Sequence, residues 1–200
     1  MNPSDSRISC DAAITSAEIA RRKTALRTVL LAARNALPPG LRKAAVDMIS
    51  EQLLHWIEQS GLTSVAVYSA MRGEPDLSAT WHAMAQADIA LALPIVIAND
   101  APLGFAAWQP GQEMEHDRFG IDIPASPRQQ VVPQAILVPC LGFTPERIRL
   151  GYGGGFYDRT LAHLSGVIAV GIAFDCGKAD FAAEAHDITL NAVITESGMI

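Results

Sequence analysis

"AILVPCLGFTPERIRLGYGGGFYDRTLA", Ala135 to Ala162, is the stretch on which the reading of this 200-residue chain turns. It opens on an almost wholly apolar run, Ala135 to Phe143, which reads as a buried strand. It closes on a helical pattern around Tyr157 to Leu164. Between them stand three consecutive glycines, Gly153, Gly154 and Gly155. Glycine loses more backbone freedom on folding than any other residue, so a run of three is costly to order. Either the backbone makes a tight turn there, or a ligand approaches it closely. On the glycines alone, a turn and a phosphate cradle weigh about equally.

Outward from this segment the same alternation recurs. "SAEIARRKTALRTVLLAARNAL" reads as an amphipathic helix with Ser16 as N-cap, ended by Pro38-Pro39-Gly40. "LRKAAVDMISEQLLHWIEQS" is a second helix, stopped by Gly61. "SVAVYSA" is a strand, "MRGEP" a loop and "LSATWHAMAQ" a helix. "IALALPIVI" and "LGFAAWQ" are strands, and a long polar stretch then runs to Pro133. After the glycine segment come strands at "GVIAVGIAF" and "NAVIT". Strands this hydrophobic, alternating with helices, predict an α/β fold with a mainly parallel sheet covered on both faces. Residues 1–16 are expected to form a mobile tail and residues 17–200 one domain, since no repeat or linker divides the chain.

Composition narrows the function classes. Half of the residues are hydrophobic and 18% are charged, which excludes a disordered chain. A formal net charge of −6 speaks against a nucleic-acid partner, which needs a basic surface. Cys10, Cys140 and Cys176 form no metal-ligand spacing and read as reduced thiols. No apolar run approaches the roughly 18 residues of a membrane span, and the polar start lacks a signal-peptide core, so a cytoplasmic protein without a membrane partner is expected.

In open α/β sheets, ligands bind beyond the carboxyl ends of strands. A glycine loop there exposes N–H groups, and the following helix adds its partial positive end. The segment is neither a Walker A loop nor GxGxxG with an acidic ribose partner. Arg149 and Arg159 flank it with positive charge, and Asp158 stands where a carboxylate can hold magnesium. Taken alone, Asp158 reads better as a helix-start residue favoured by the helix dipole.

The segment "ILVPCLGFTPERIRLGYGGGFYDRTLA" resembles the signature of the 5-formyltetrahydrofolate cyclo-ligase family. Collinear, weaker similarities accompany it. "KTALR" (Lys23–Arg27), with Arg34 further along, resembles the family's N-terminal motif; "YSAMRGEPDLSAT" resembles its strand and loop with a substrate-binding glutamate; "ALPIV" and "EAHDITLNAVITE" resemble its later motifs. Four positions depart from the pattern: Thr144, Arg147, Gly177 and Ala182.

The resemblance implies a three-layer fold like that of sugar-phosphate isomerases and CoA-transferases. It implies ATP- and magnesium-dependent conversion of 5-formyltetrahydrofolate to 5,10-methenyltetrahydrofolate, with release of ADP and phosphate, by a monomer. Lys23, Arg149 and Asp158 would be catalytic. Lys23, Thr24, Ala25, Leu26 and Arg27 would bind ATP, as would Arg149, Leu150, Gly151, Tyr152, Gly153, Gly154, Gly155, Phe156 and Tyr157. Tyr152 to Phe156 would also face the folate, with Ser69, the Met71 segment and Glu74 at the pterin end. Asp158 and Asp187 would hold magnesium. Read without the resemblance, Lys23 and Arg27 fit a solvated helix face, His186 a surface or structural histidine, Trp108 a packed core residue and Cys140 an inert buried thiol. Two alternatives stand beside the cyclo-ligase: an isomerase or CoA-transferase on a similar fold, and a nucleotide- or folate-binding protein without turnover.

Overall fold

The computed structural model describes residues 15–118, 120–126 and 128–200. Helices α1 (Ser16–Asn35) and α2 (Pro39–Ser60) lead into β1 (Ser64–Ala66), α3 (Ser78–Gln86), β2 (Ala90–Val96) and β3 (Leu103–Trp108). A hairpin of β4 (Met114–His116) and β5 (Asp122–Pro124) precedes β6 (Ala135–Pro139), β7 (Gly142–Phe143) and β8 (Arg149–Leu150). The chain closes with α4 (Phe156–His163), β9 (Ile168–Ile172), β10 (Ala192–Thr195) and β11 (Gly198–Met199).

The main sheet has the order β11-β10-β9-β6-β1-β2-β3. Its five inner strands run parallel, and only β3 and β11 at the edges are antiparallel to their neighbours. Strand alternation sorts the side chains onto two faces. Val65, Leu91, Leu93 and Leu137 pack in one cluster with Ile49, Leu53 and Ile57 of α2 and with Trp81 and Met84 of α3. Ala66, Ala92, Ile136 and Val138 join the opposite cluster, against Phe156, Tyr157 and Leu161 of α4. Both faces are therefore covered by helices, as continuous apolar strands require. No helix among the described residues is long and apolar enough to cross a membrane.

Five local expectations are corrected. Thr15, not Ser16, is the N-cap of α1, its hydroxyl accepting the Glu18 N–H at 3.3 Å. Of the expected tail, residues 1–14 lie outside the described residues, while Thr15 and Ser16 already belong to this helix start. The Pro-Pro-Gly segment also starts α2, with Pro39 in the first turn, where a missing N–H costs nothing. "AILVPCLGF" is not one strand. It leaves the sheet after Pro139, and Gly142–Phe143 pair antiparallel with Arg149–Leu150 instead. The polar stretch before Pro133 holds the β4–β5 hairpin, whose short strands of mixed polarity give no strong alternation signal.

Candidate active site

Helix α1 carries an unusual buried stripe. Lys23, Leu30 and Arg34 are its buried residues, with Arg27 half-buried between them. Positions four apart share a helix face, so the spacing that makes an ordinary amphipathic helix here turns cations inward. The solvated-face reading of Lys23 and Arg27 is thus overturned. Thr24 and Ala25 point outward, the Thr24 hydroxyl donating to the Ala20 carbonyl, and Leu26 packs beside Leu30, Leu141 and Leu150. Of the run Lys23–Arg27, only Lys23 and Arg27 line the cavity described below.

The glycine segment lies directly opposite this stripe. Arg27 Nε donates to the Gly151 carbonyl at 2.8 Å, tying α1 to the loop. Gly153 (φ +95) and Gly155 (φ +65) adopt the left-handed backbone that glycine favours, and Gly155 is the N-cap of α4. Gly154 lies outside that region. No side chain caps α4, so its first N–H groups are left for solvent or a ligand. Arg159 steadies the turn from outside by donating to the Gly154 carbonyl at 2.6 Å.

Two carboxylates sit on the same wall, each held by a cation of the chain. Arg149 Nη2 lies 2.6 Å from Asp158 Oδ2, and Lys23 Nζ lies 2.5 Å from Asp187 Oδ2 and 2.9 Å from Glu184 Oε2. These pairs are largely sheltered, with Lys23 only 3% exposed. The ligand atoms of Glu184, His186 and Asp187 lie within 4.8 Å of one another, while Asp158 stands outside that group. Carboxylate oxygens are hard donors of the kind magnesium takes.

Glu74 lines the same cavity, buried to 4% exposure. Its Oε2 accepts the Met71 N–H at 3.0 Å, but Oε1 has no hydrogen-bond partner. Burial raises the pKa of this carboxyl above its ordinary value, against the pull of the Met71 N–H, Tyr152, Arg34 and Arg72. A buried acceptor left unmet is costly, and in a cavity it points to a ligand donor. Ser69 instead donates to the Asp122 carbonyl at 3.2 Å, joining the β1 loop to the hairpin.

These residues line a cavity of about 450 Å³. It opens past the carboxyl ends of β1, β2 and β6, marked by Tyr68, Val96 and Pro139. Ser69, Met71, Glu74, Lys23, Arg27, Asp158, Asp187 and every residue from Arg149 to Tyr157 line it. Sequence reasoning had not assigned Arg72, Asp117, Ile121, Glu184 or His186 to it. Glu184 was within reach, since it begins the "EAHD" segment. Asp117 and Ile121 belong to the unforeseen hairpin. Trp108 is half-buried against the α2-side core, away from this cavity. Cys140 is fully buried, and desolvation pushes its thiol up to about 12, which keeps it inert.

None of the four departures lines the cavity. Thr144 is buried and accepts the Ile148 N–H at 3.3 Å, closing the turn between β7 and β8. Arg147 takes the left-handed φ of +66 that a glycine would otherwise suit, and its side chain donates to the Leu190 carbonyl. A Cβ on Gly177 would stand 2.8 Å from the Leu141 carbonyl oxygen, so this backbone admits no larger residue there without shifting. Ala182 is exposed.

Comparison with known proteins gives a consistent answer. The chain is 33% identical over 187 residues to the 5-formyltetrahydrofolate cyclo-ligase of Mycolicibacterium smegmatis, covering 88% of this chain and 94% of that protein. The NMR structure of Aquifex aeolicus 5,10-methenyltetrahydrofolate synthetase superposes with a TM-score of 0.76 at 27% identity, over 88% of this chain and 91% of that one. The Mycoplasma pneumoniae 5,10-methenyltetrahydrofolate synthetase, at 23% identity and TM-score 0.73 over 87% of this chain and 98% of that one, shares the fold. A family model, described as the 5-formyltetrahydrofolate cyclo-ligase family, matches residues 19–196. By sequence, by fold and over nearly its whole length, the chain belongs to the 5-formyltetrahydrofolate cyclo-ligase family.

Proposed function

We propose that this protein converts 5-formyltetrahydrofolate to 5,10-methenyltetrahydrofolate, coupled to cleavage of ATP to ADP and phosphate. The observation that carries the reading is the cavity itself. It is lined by the glycine loop, Lys23, Arg27 and Arg149 with Asp158 and Asp187, and by Glu74 with one unmet oxygen. Family membership removes the ground for the isomerase or CoA-transferase alternative.

The chemistry explains the division. The formyl oxygen is a poor leaving group, so it attacks the γ-phosphorus of ATP and ADP departs. The second folate nitrogen then bonds to the activated carbon, loses its proton, and the carbon–oxygen bond breaks to release phosphate. Such transfer needs positioning and charge neutralisation rather than a protein nucleophile. Lys23, Arg27 and Arg149 meet the phosphates. The N–H groups from Gly153 into the start of α4 hold phosphate oxygens. Asp158 and Asp187 would hold magnesium, and the ion would supply neutralisation of phosphate charge. Glu74 accepts paired N–H groups of the pterin, a charge-assisted contact, and Tyr152 to Phe156 face both ligands.

The testing experiment follows methenyltetrahydrofolate by absorbance while 5-formyltetrahydrofolate, ATP and divalent cation are each left out. Product should form only with all three, and excess chelator should abolish it. Undiminished product in chelator contradicts the magnesium assignment.

A second expected result separates cradle from turn. In Gly154→Ala the new Cβ would approach the Phe156 ring at 3.0 Å, a neighbour that yields by a small ring movement, and no positive φ is strained. A loss of roughly 1 kcal/mol would lower the melting temperature by only about 2–4 °C. Turnover should nevertheless fall at least about tenfold, roughly 1.4 kcal/mol of transition-state binding, because on this reading a methyl on the loop backbone crowds the phosphate. A stable, fully active variant shows the cradle assignment wrong at this position.

A further inference from the structure

Arg34 is the largest fully buried side chain, 2% exposed, and no carboxylate forms an ion pair with it among the described residues. Its Nη1 donates to the Tyr152 hydroxyl oxygen at 2.8 Å, and its Nη2 to the Cys140 carbonyl. Its own carbonyl accepts Arg42 Nη2 at 2.5 Å, and Arg42 Nη1 also binds the Gly73 carbonyl at 2.7 Å, beside Glu74. A buried guanidinium is expensive unless something uses its charge.

A tyrosine hydroxyl has one proton and two lone pairs. With Arg34 donating to one lone pair, the Tyr152 proton is free to turn toward Glu74, which lines the same cavity and keeps one carboxylate oxygen without a partner. We propose that Arg34 is a positioning residue for folate capture: from the buried side of α1 it fixes the Tyr152 hydroxyl, which in turn holds the Glu74 carboxylate ready for the pterin. The inference rests on the functional reading above and adds a residue that touches neither substrate.

The charge environment of Glu74 agrees. Arg34 and Arg72 favour its ionised form, whereas burial opposes it, and Tyr68, Cys140, Tyr152 and Tyr157 are the other titratable groups around it. Glu74 must be ionised to accept two N–H groups, so folate binding is lost as pH falls through its raised folded pKa. Removing Arg34 raises that pKa further. The acid limb of folate kcat/KM should therefore move to higher pH.

The test compares the parent with Arg34→Met, Arg34→Lys and Tyr152→Phe. It measures kcat/KM for 5-formyltetrahydrofolate against pH, and binding of MgADP by calorimetry. Arg34→Met is expected to raise folate KM at neutral pH about tenfold, equal to roughly 1.4 kcal/mol, and to shift the acid limb upward. MgADP affinity should stay within about twofold. Arg34→Lys should recover part of the limb position, and Tyr152→Phe should reproduce the shift while keeping the buried cation. If Arg34→Met does not fold, Tyr152→Phe alone decides. An unmoved acid limb in Tyr152→Phe, or equal losses of folate and MgADP affinity, overturns the inference while leaving the functional reading intact. A parent inactive with 5-formyltetrahydrofolate and MgATP overturns both.

Discussion

Lys23→Met is expected to lower turnover by about 10²–10³-fold, equivalent to roughly 2.7–4 kcal/mol, the usual cost of removing one preorganised charge from a transition state. The effect should exceed that of an ordinary surface lysine because the ammonium is almost fully sheltered and held by two carboxylates. The same contacts give the variant a second signature. Without Lys23, Asp187 and Glu184 face each other with no cation between them, so the melting temperature should fall. Magnesium added alone should then raise it, because a ligand that binds only the folded state stabilises that state by mass action. In the parent the ammonium already occupies Asp187, and magnesium alone should have little effect. Equal responses of parent and variant would show that Lys23 and the cation do not compete for this carboxylate.

Asp158→Asn should lose activity on a similar scale, about 10²–10³-fold, and should also unfold earlier. The Arg149 guanidinium has 6% of its side chain exposed, and Asp158 is its ion-pair partner. Breaking a buried pair by removing one charge costs roughly 3–5 kcal/mol. Asparagine keeps an oxygen acceptor, which places the loss near the lower end. At about 2–4 °C per kcal/mol, a melting temperature lower by roughly 6–12 °C is expected. Thermal melts and steady-state kinetics on one preparation measure both. A variant as stable as the parent but inactive would mean that Asp158 serves the ligand and not Arg149; a destabilised variant with full turnover would remove it from the site.

The large features were legible in the sequence because each rests on local chemistry. Continuous apolar strands such as Ala135–Pro139 demand two covered faces, and Gly61 in the left-handed region ends α2 where a glycine stop was expected. Gly153 and Gly155 carry the special backbone that their crowding implied. What stayed hidden depends on distance along the chain. The KTALR resemblance singled out Lys23, but its contacts with Glu184 and Asp187, 161 and 164 residues away, leave no local trace. Arg34 reaches Tyr152 across 118 residues. The β4–β5 hairpin escaped because three-residue strands with mostly exposed side chains leave almost no periodicity to read. The break at Pro139 escaped for the opposite reason: hydrophobicity continues through Cys140, Leu141 and Phe143 because all are buried, although only part of the run is in the sheet.

The central claim is that the phosphate-binding residues and Glu74 serve one reaction, in which the formyl oxygen leaves as part of phosphate. Its most direct measurement uses 5-formyltetrahydrofolate labelled with oxygen-18 in the formyl group. The substrate is turned over with unlabelled MgATP, and the released inorganic phosphate is analysed by mass spectrometry. The account predicts one labelled oxygen in each phosphate formed. Unlabelled phosphate, with the label recovered in water, would contradict it.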